Sequence, residues 1–358
     1  MDSFLYEYGL FLAKSLTFAL LLIFVVVILA ANAMRQRQHG KQEGHIVVTK
    51  LNDELERIKD DLREEILDEE ILKAEEKAER QKEKAERKAR KKQAAANADS
   101  GKKRIFVLNF DGDTRASAVE DLRQCISGVL AVARPEQDEV LLKLESPGGM
   151  VHAYGLAASQ LTRIRKAKLR LTIAVDLVAA SGGYMMACVA DHLIAAPFAY
   201  VGSIGVLVQL PNVHRLLKDN KIDYEMITAG EYKRTLTTFG ENTDKDRQKV
   251  QEEVDEMHGL FKAFIAQYRP QVDLPSVATG EVWTGQQAFE RGLIDELGVS
   301  DEWIMSRLAD CDVFEVSWEY KKKLGERLSS LVESAMTRAF NRVAQDWLHR
   351  ADKEKFFS

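Results

Sequence analysis

Residues 139–149 read EVLLKLESPGG, and residues 171–190 read LTIAVDLVAASGGYMMACVA. In each stretch a short apolar run meets glycine punctuation and passes into a segment with helical spacing. Glu139–Leu144 therefore predicts a strand, Ser146-Pro147-Gly148-Gly149 a turn and Val151–Ile164 a helix. Leu171–Val175 predicts a second strand, Ser181–Ala190 a helix and His192–Ala196 another strand. Upstream, Ile105–Phe110 (IFVLNF) reads as a buried strand and Ser117–Ala133 as a helix; downstream, Gln248–Tyr268 reads as a long amphipathic helix. Strands alternating with helices in this way make an α/β domain with largely parallel sheets.

The flanks have a different character. Ser15–Met34 carries no charge and has the length needed to cross a bilayer, with Tyr6 and Tyr8 where interfacial aromatics belong. It is expected to be a membrane span. Ala31-Asn32-Ala33 has the small-x-small form of a signal-peptidase site, but Asp2 and Glu7 make the preceding segment unlike the basic start of an exported precursor. From Leu51 to Ala96 the chain is highly charged. Leu51, Leu55, Ile58, Leu62 and Ile66 mark a helical stripe, and KAER recurs at 77–80 and 84–87. A solvated helical spacer is the plain reading, and a basic stretch touching anionic lipid the sharper one. Lys321–Trp347 has amphipathic helical spacing. The expected organisation is an anchor over 1–34, a charged spacer and linker over 35–101, a globular domain over 102–320 and a C-terminal helix over 321–358. Leu171–Leu210 is also apolar, but Asp176, Asp191, His192, Gly182-Gly183 and Pro197 interrupt it as a soluble core is interrupted.

The 358 residues have a formal net charge of −5, which gives no reason to expect nucleic acid as a partner. The cysteines Cys125, Cys188 and Cys311 have neither disulfide-framework nor metal-ligand spacing.

Two segments are placed for chemistry. Ser181, in Ala179-Ala180-Ser181-Gly182-Gly183-Tyr184, stands at a helix start, where free amides favour negative charge. That position suits a nucleophile whose attack creates an oxyanion, and equally an ordinary N-cap. The turn Ser146–Gly149 presents glycine amides that, with the Gly182 amide, would complete an oxyanion hole; it also fits a plain strand-to-helix turn. Of the 7 histidines none falls in a triad pattern, although His152 follows the turn closely. A desolvated lysine serves as base instead. Composition alone does not prefer Lys233, in Gly230-Glu231-Tyr232-Lys233, over Lys221 or Lys245.

The ordered set SPGG, AASGGY, Val201-Gly202-Ser203-Ile204-Gly205-Val206 and GEYK resembles the signal peptide peptidase family of serine peptidases, most nearly its short, SohB-type bacterial inner-membrane members. The likeness spans Ile105 to Gly298. It implies a ClpP/crotonase-like fold and a Ser–Lys dyad of Ser181 and Lys233. Ser203 falls on the serine that hydrogen-bonds the lysine amine, and Gly148, Gly149 and Gly182 fall on the oxyanion side. Larger relatives are internally duplicated and divide the dyad between halves. No second copy is visible here, so both groups are expected from one protomer. The resemblance further implies no metal or cofactor, hydrophobic polypeptide substrates such as signal-peptide remnants, and a homo-oligomer at the bacterial inner membrane. Arg35, Arg37 and Lys41 favour a cytoplasmic C-terminal side, whereas the resemblance favours the periplasmic face. The competing expectations are an acyl-thioester enzyme of the crotonase type and a non-catalytic membrane scaffold.

Overall fold

The computed structural model describes residues 44–68 and 102–320, with short pieces between 9 and 18. Nearly all of the expected span, residues 69–101 of the spacer and the C-terminal segment 321–358 lie outside the described residues. No helix among the described residues is long and apolar enough to cross a membrane. The architecture below is that of the compact unit Ile46–Trp318.

In chain order the elements are β1 (Gly44–Lys50), α1 (Leu51–Ile66), β2 (Arg104–Asp111), α2 (Val119–Val132), β3 (Glu139–Glu145), α3 (Val151–Lys166), β4 (Arg170–Val175), β5 (Val178–Ala180), α4 (Gly182–Ala187), β6 (His192–Ala195), β7 (Tyr200–Gly202), α5 (His214–Asp219), α6 (Asp244–Tyr268), α7 (Leu274–Val277), β8 (Val282–Thr284), α8 (Gly285–Glu290), β9 (Glu296–Leu297), α9 (Ser300–Met305) and β10 (Asp312–Tyr320). A seven-stranded sheet has the order β1-β10-β2-β3-β4-β6-β9, and a three-stranded sheet the order β5-β7-β8. The pairs β10–β2, β2–β3, β3–β4, β4–β6 and β6–β9 are all parallel.

The large sheet is covered on both faces. Phe106, Leu108 and Phe110 of β2 join Leu142, Leu144, Ile173 and the inner faces of α2, α3 and α4 in one core; Ile105 and Val107, one residue out of phase, join Leu141, Ala174, Ile194, Trp303 and Ile304 in another. Burial on both faces explains why IFVLNF and EVLLKLE read as continuous apolar runs. Of the apolar stretch Leu171–Leu210, the part up to Gly202 becomes β4 to β7 and α4 in a buried core, whereas Leu207, Val208 and Leu210 are exposed. Cys125, Cys188 and Cys311 are free and buried.

The sequence reading puts residues 35–101 in a spacer, but Gly44–Lys50 joins the sheet as its edge strand. Asn52, in the first turn of α1, then fastens the helix to that edge. Its Nδ2 donates to the carbonyls of Leu308 and Cys311, each at 2.9 Å, and its Oδ1 accepts from the Val313 amide at 2.8 Å. β10 was also unforeseen, although DVFEVSWEY alternates with the period of a strand.

Candidate active site

The two sheets meet at the C-terminal end of β3. Ser146 pairs with Ala179 in a parallel bridge, its amide donating to Val178 O at 2.8 Å and its carbonyl accepting from Ala180 N at 3.0 Å. β5 in turn pairs in parallel with β7, Ala180 lying opposite Gly202, and the Ser181 amide donates to Gly202 O at 2.8 Å. Ser146, Ser181 and Ser203 thus sit side by side where three neighbouring strands end.

Ser181 links β5 to α4 with φ +52° and ψ −116°, outside the regions open to L-residues at low cost. The serine is half-buried in this sharp strand-to-helix turn and makes no side-chain capping bond, which removes the ordinary N-cap reading. The SPGG turn lies against it. Gly148 has φ +88°, and a Cβ there would stand 2.6 Å from Ala180 O, 2.7 Å from Gly182 N and 2.8 Å from Ser181 Cβ. Only glycine allows this approach. The Gly148 amide is directed at Ser146 Oγ, 3.1 Å away, whereas those of Gly149 and Gly182 have no protein acceptor among the described residues. Expectation gave both turn glycines as donors; the geometry leaves Gly149 as the free donor of the turn and gives Gly148 the task of close packing.

Sequence reading missed what lies beneath the turn. Ser146 Oγ is 2.6 Å from Tyr154 Oη, and Tyr154 Oη donates to Asp113 O at 2.8 Å. Both side chains are fully buried, and burial raises the Tyr154 phenol above its ordinary range. The Tyr154 ring occupies the space where a Cβ on Gly182 would stand. Met150 N donates to Thr114 O at 2.8 Å, tying the other end of the turn to the same loop. In the sequence Ser146 belongs to a turn motif, and nothing local marks Tyr154, eight residues on, as its partner.

The remaining expected residues are less closely assembled. Ser203, half-buried and with φ +50°, donates its amide to Glu281 O at 2.7 Å. Lys233 is exposed, after a turn in which its amide donates to Gly230 O at 3.1 Å, and no hydrogen bond joins it to Ser181 or Ser203. The neighbouring candidate Lys245 pairs with Glu231 at 2.5 Å. His152 is exposed on α3, with no hydrogen-bond partner among the described residues. A surface depression lined by His214, Leu217, Tyr224 and Gly240 contains none of the expected catalytic residues. Arg269, just after α6, pairs bidentately with Asp295, just before β9, at 2.7 and 2.8 Å.

Comparison with known proteins gives the family. The model for the N-terminal part of peptidase family S49 matches residues 3–161, and that for peptidase family S49 matches residues 163–312. A probable protease SohB of Haemophilus influenzae is 46% identical over 348 residues, covering 96% of this chain and 97% of that protein. A probable protease SohB from a Buchnera aphidicola subspecies of the host Acyrthosiphon pisum is 45% identical over 328 residues, covering 92% and 94%. Protease 4 of Salmonella typhi is 27% identical over 196 residues, 54% of this chain and 30% of that protein. With an α/β fold that fits the ClpP-like class and near-complete alignment to the two SohB proteases, the chain belongs to peptidase family S49, as a peptidase of the SohB type.

Proposed function

We propose that the chain is a membrane-anchored serine endopeptidase that hydrolyses hydrophobic polypeptides, signal-peptide remnants among them, with a Ser181–Lys233 dyad. The observation that carries this reading is Ser181 itself: a serine in a strained strand-to-helix turn, packed against a glycine turn, with two unengaged amides beside it.

In this mechanism the Lys233 amine takes the Ser181 hydroxyl proton as Oγ attacks the scissile carbonyl. The amides of Gly182 and Gly149 hold the oxyanion. The lysine then gives its proton to the leaving amine, and water, activated by the same amine, releases the acyl group from Ser181. Ser203, one residue beyond the carbonyl that receives the Ser181 amide, orients the lysine. Bulk water keeps an ammonium charged, so an exposed Lys233 needs shielding before it works as a base. Assembly of several copies supplies that shielding in this reading. Residues 15–34 anchor the chain in the bacterial inner membrane, raising the local concentration of membrane-borne substrate, with the catalytic domain on the periplasmic face.

The test is labelling of the purified, assembled protein by a serine-directed fluorophosphonate, beside Ser181→Ala and Lys233→Ala. Labelling that both substitutions abolish is the expected result. Labelling that survives Lys233→Ala would send the base assignment to His152. No labelling of folded wild type would favour the non-catalytic scaffold.

A further inference from the structure

Ser146 and Tyr154 belong to none of the catalytic roles above, yet their hydroxyls are buried at the base of the site. We propose that the Ser146–Tyr154 hydroxyl pair is a positioning relay for the oxyanion hole, holding the Gly148-Gly149 turn and the Gly182 amide at the spacing a tetrahedral intermediate requires.

The relay has one consistent direction. Tyr154 has a single hydroxyl proton, and Asp113 O, 2.8 Å away, can only accept it. Tyr154 Oη is therefore the acceptor in its 2.6 Å contact with Ser146, so Ser146 Oγ donates there. Ser146 Oγ in turn accepts from the Gly148 amide at 3.1 Å. Gly148 N–H, Ser146 O–H, Tyr154 O–H and the Asp113 carbonyl form an unbranched chain with every proton placed. Its first link orients the Pro147–Gly148 peptide plane, and with Gly148 held at φ +88° against Ala180 and Gly182 this restricts where the next amide, that of Gly149, points. The same tyrosine touches the second donor, because its ring lies where a side chain on Gly182 would be.

The hydroxyl does something the ring does not. Packing against Phe110, with centroids 6.4 Å apart and edge-on, and against Gly182 needs only an aromatic ring. What the phenol oxygen adds is the connection between the Asp113 loop and the turn. Oxyanion donors act through preorganisation, so a turn free to tilt by a fraction of an ångström weakens binding of the transition state more than of the substrate.

This inference rests on Ser181 being the nucleophile, and the experiment separates the two. The full-length assembled protein is assayed with a fluorogenic hydrophobic peptide, and inhibition by a peptide aldehyde is compared with that by the matching carboxamide. The aldehyde adds to the Ser181 hydroxyl and places an oxyanion in the hole; the carboxamide only occupies the site. Tyr154→Phe is expected to lower kcat about tenfold with KM changed less than about twofold, a fraction of the effect of deleting an oxyanion donor outright. The preference for aldehyde over carboxamide should fall by a similar factor. Ser146→Ala should do the same, and the double variant should be little worse than either single one, because one chain is broken in each case. Unchanged kcat in Tyr154→Phe and Ser146→Ala overturns the proposal. So does a loss of kcat that only tracks a loss of folded protein, with the aldehyde preference intact. Cleavage that survives Ser181→Ala removes the catalytic reading and the relay with it; cleavage lost in Ser181→Ala but untouched in Tyr154→Phe removes the relay alone.

Discussion

At Ser181 stability and function pull apart. A φ of +52° with ψ −116° costs an L-residue on the order of 1–3 kcal/mol, and glycine is largely exempt. Ser181→Gly should therefore raise the melting temperature, by about 1 kcal/mol of stability, while abolishing fluorophosphonate labelling. A stability decrease in that variant would mean that the turn is not strained. Gly148 shows the converse. A methyl group there would meet Ala180 O and Gly182 N inside contact distance at a φ of +88°. Gly148→Ala should cost roughly 2 kcal/mol or more and remove labelling, read by thermal melting and probe incorporation side by side. The serine and glycine motifs were legible in the sequence as candidates. The hydroxyls of Ser146 and Tyr154 were not legible as a pair, because their relation depends on how α3 sits over the turn.

At the scale of elements, two polar anchors fix segments whose apolar contacts are modest. Asn52 makes three hydrogen bonds that bind α1 to the carbonyls and amide around β10, while α1 itself has no buried residue. Asn52→Ala should cost about 2–3 kcal/mol locally, at roughly 1 kcal/mol per bond. Hydrogen exchange should quicken in Leu51–Ile66 before it does in β2 or β3. Asp138 joins the end of α2 to the start of β2. Burial works to raise its carboxyl, but side-chain and amide hydrogen bonds from Arg134 and Arg104 outweigh that and hold it well below the ordinary carboxylate range. A depressed folded pKa means stability that is fully present above the unfolded value, about 3.9, and lost as pH falls below it toward the folded one. Asp138→Asn should thus lower the melting temperature at neutral pH, with a stability loss of about 3 kcal/mol. The gap from wild type should close as pH drops below about 4. A gap independent of pH would sink the assignment.

Across the whole molecule, the uneven distribution of burial stands out. From Val206 to Gly240 no residue is buried, and the segment carries Leu207, Leu216, Ile222, Ile227 and Tyr232 exposed, Ile227 at 97%. Soluble monomers seldom display so much apolar side chain in one stretch. The same stretch carries Lys233, so the proposed assembly would cover the apolar surface and shield the base together. Ile227→Glu is expected to shift the protein toward smaller species in sedimentation and to lower labelling in parallel. It should leave the melting of the Ile46–Trp318 unit unchanged, because that side chain is packed against nothing in the single chain.

What the sequence determined by itself is what rests on local periodicity. Strands buried on both faces appear as apolar runs, helices as 3.6-residue stripes, and glycine turns end them, so β2, β3, β4, β6 and the helices α2, α3, α4 and α6 fall within a few residues of expectation. The family followed from four short motifs in order. Tertiary structure alone decided the rest. β5, β7 and β8 have three residues each, too few to show a period, and exist as strands only because each has a neighbour. β1 lies in the stretch expected to be spacer and is a strand through its pairing with β10, more than 250 residues later. The meeting of Ser146, Ser181 and Ser203 is set by hydrogen bonds between strand ends that are remote in the chain. Such contacts leave no local trace, because they reflect which backbone edges are left to pair once the core has been buried.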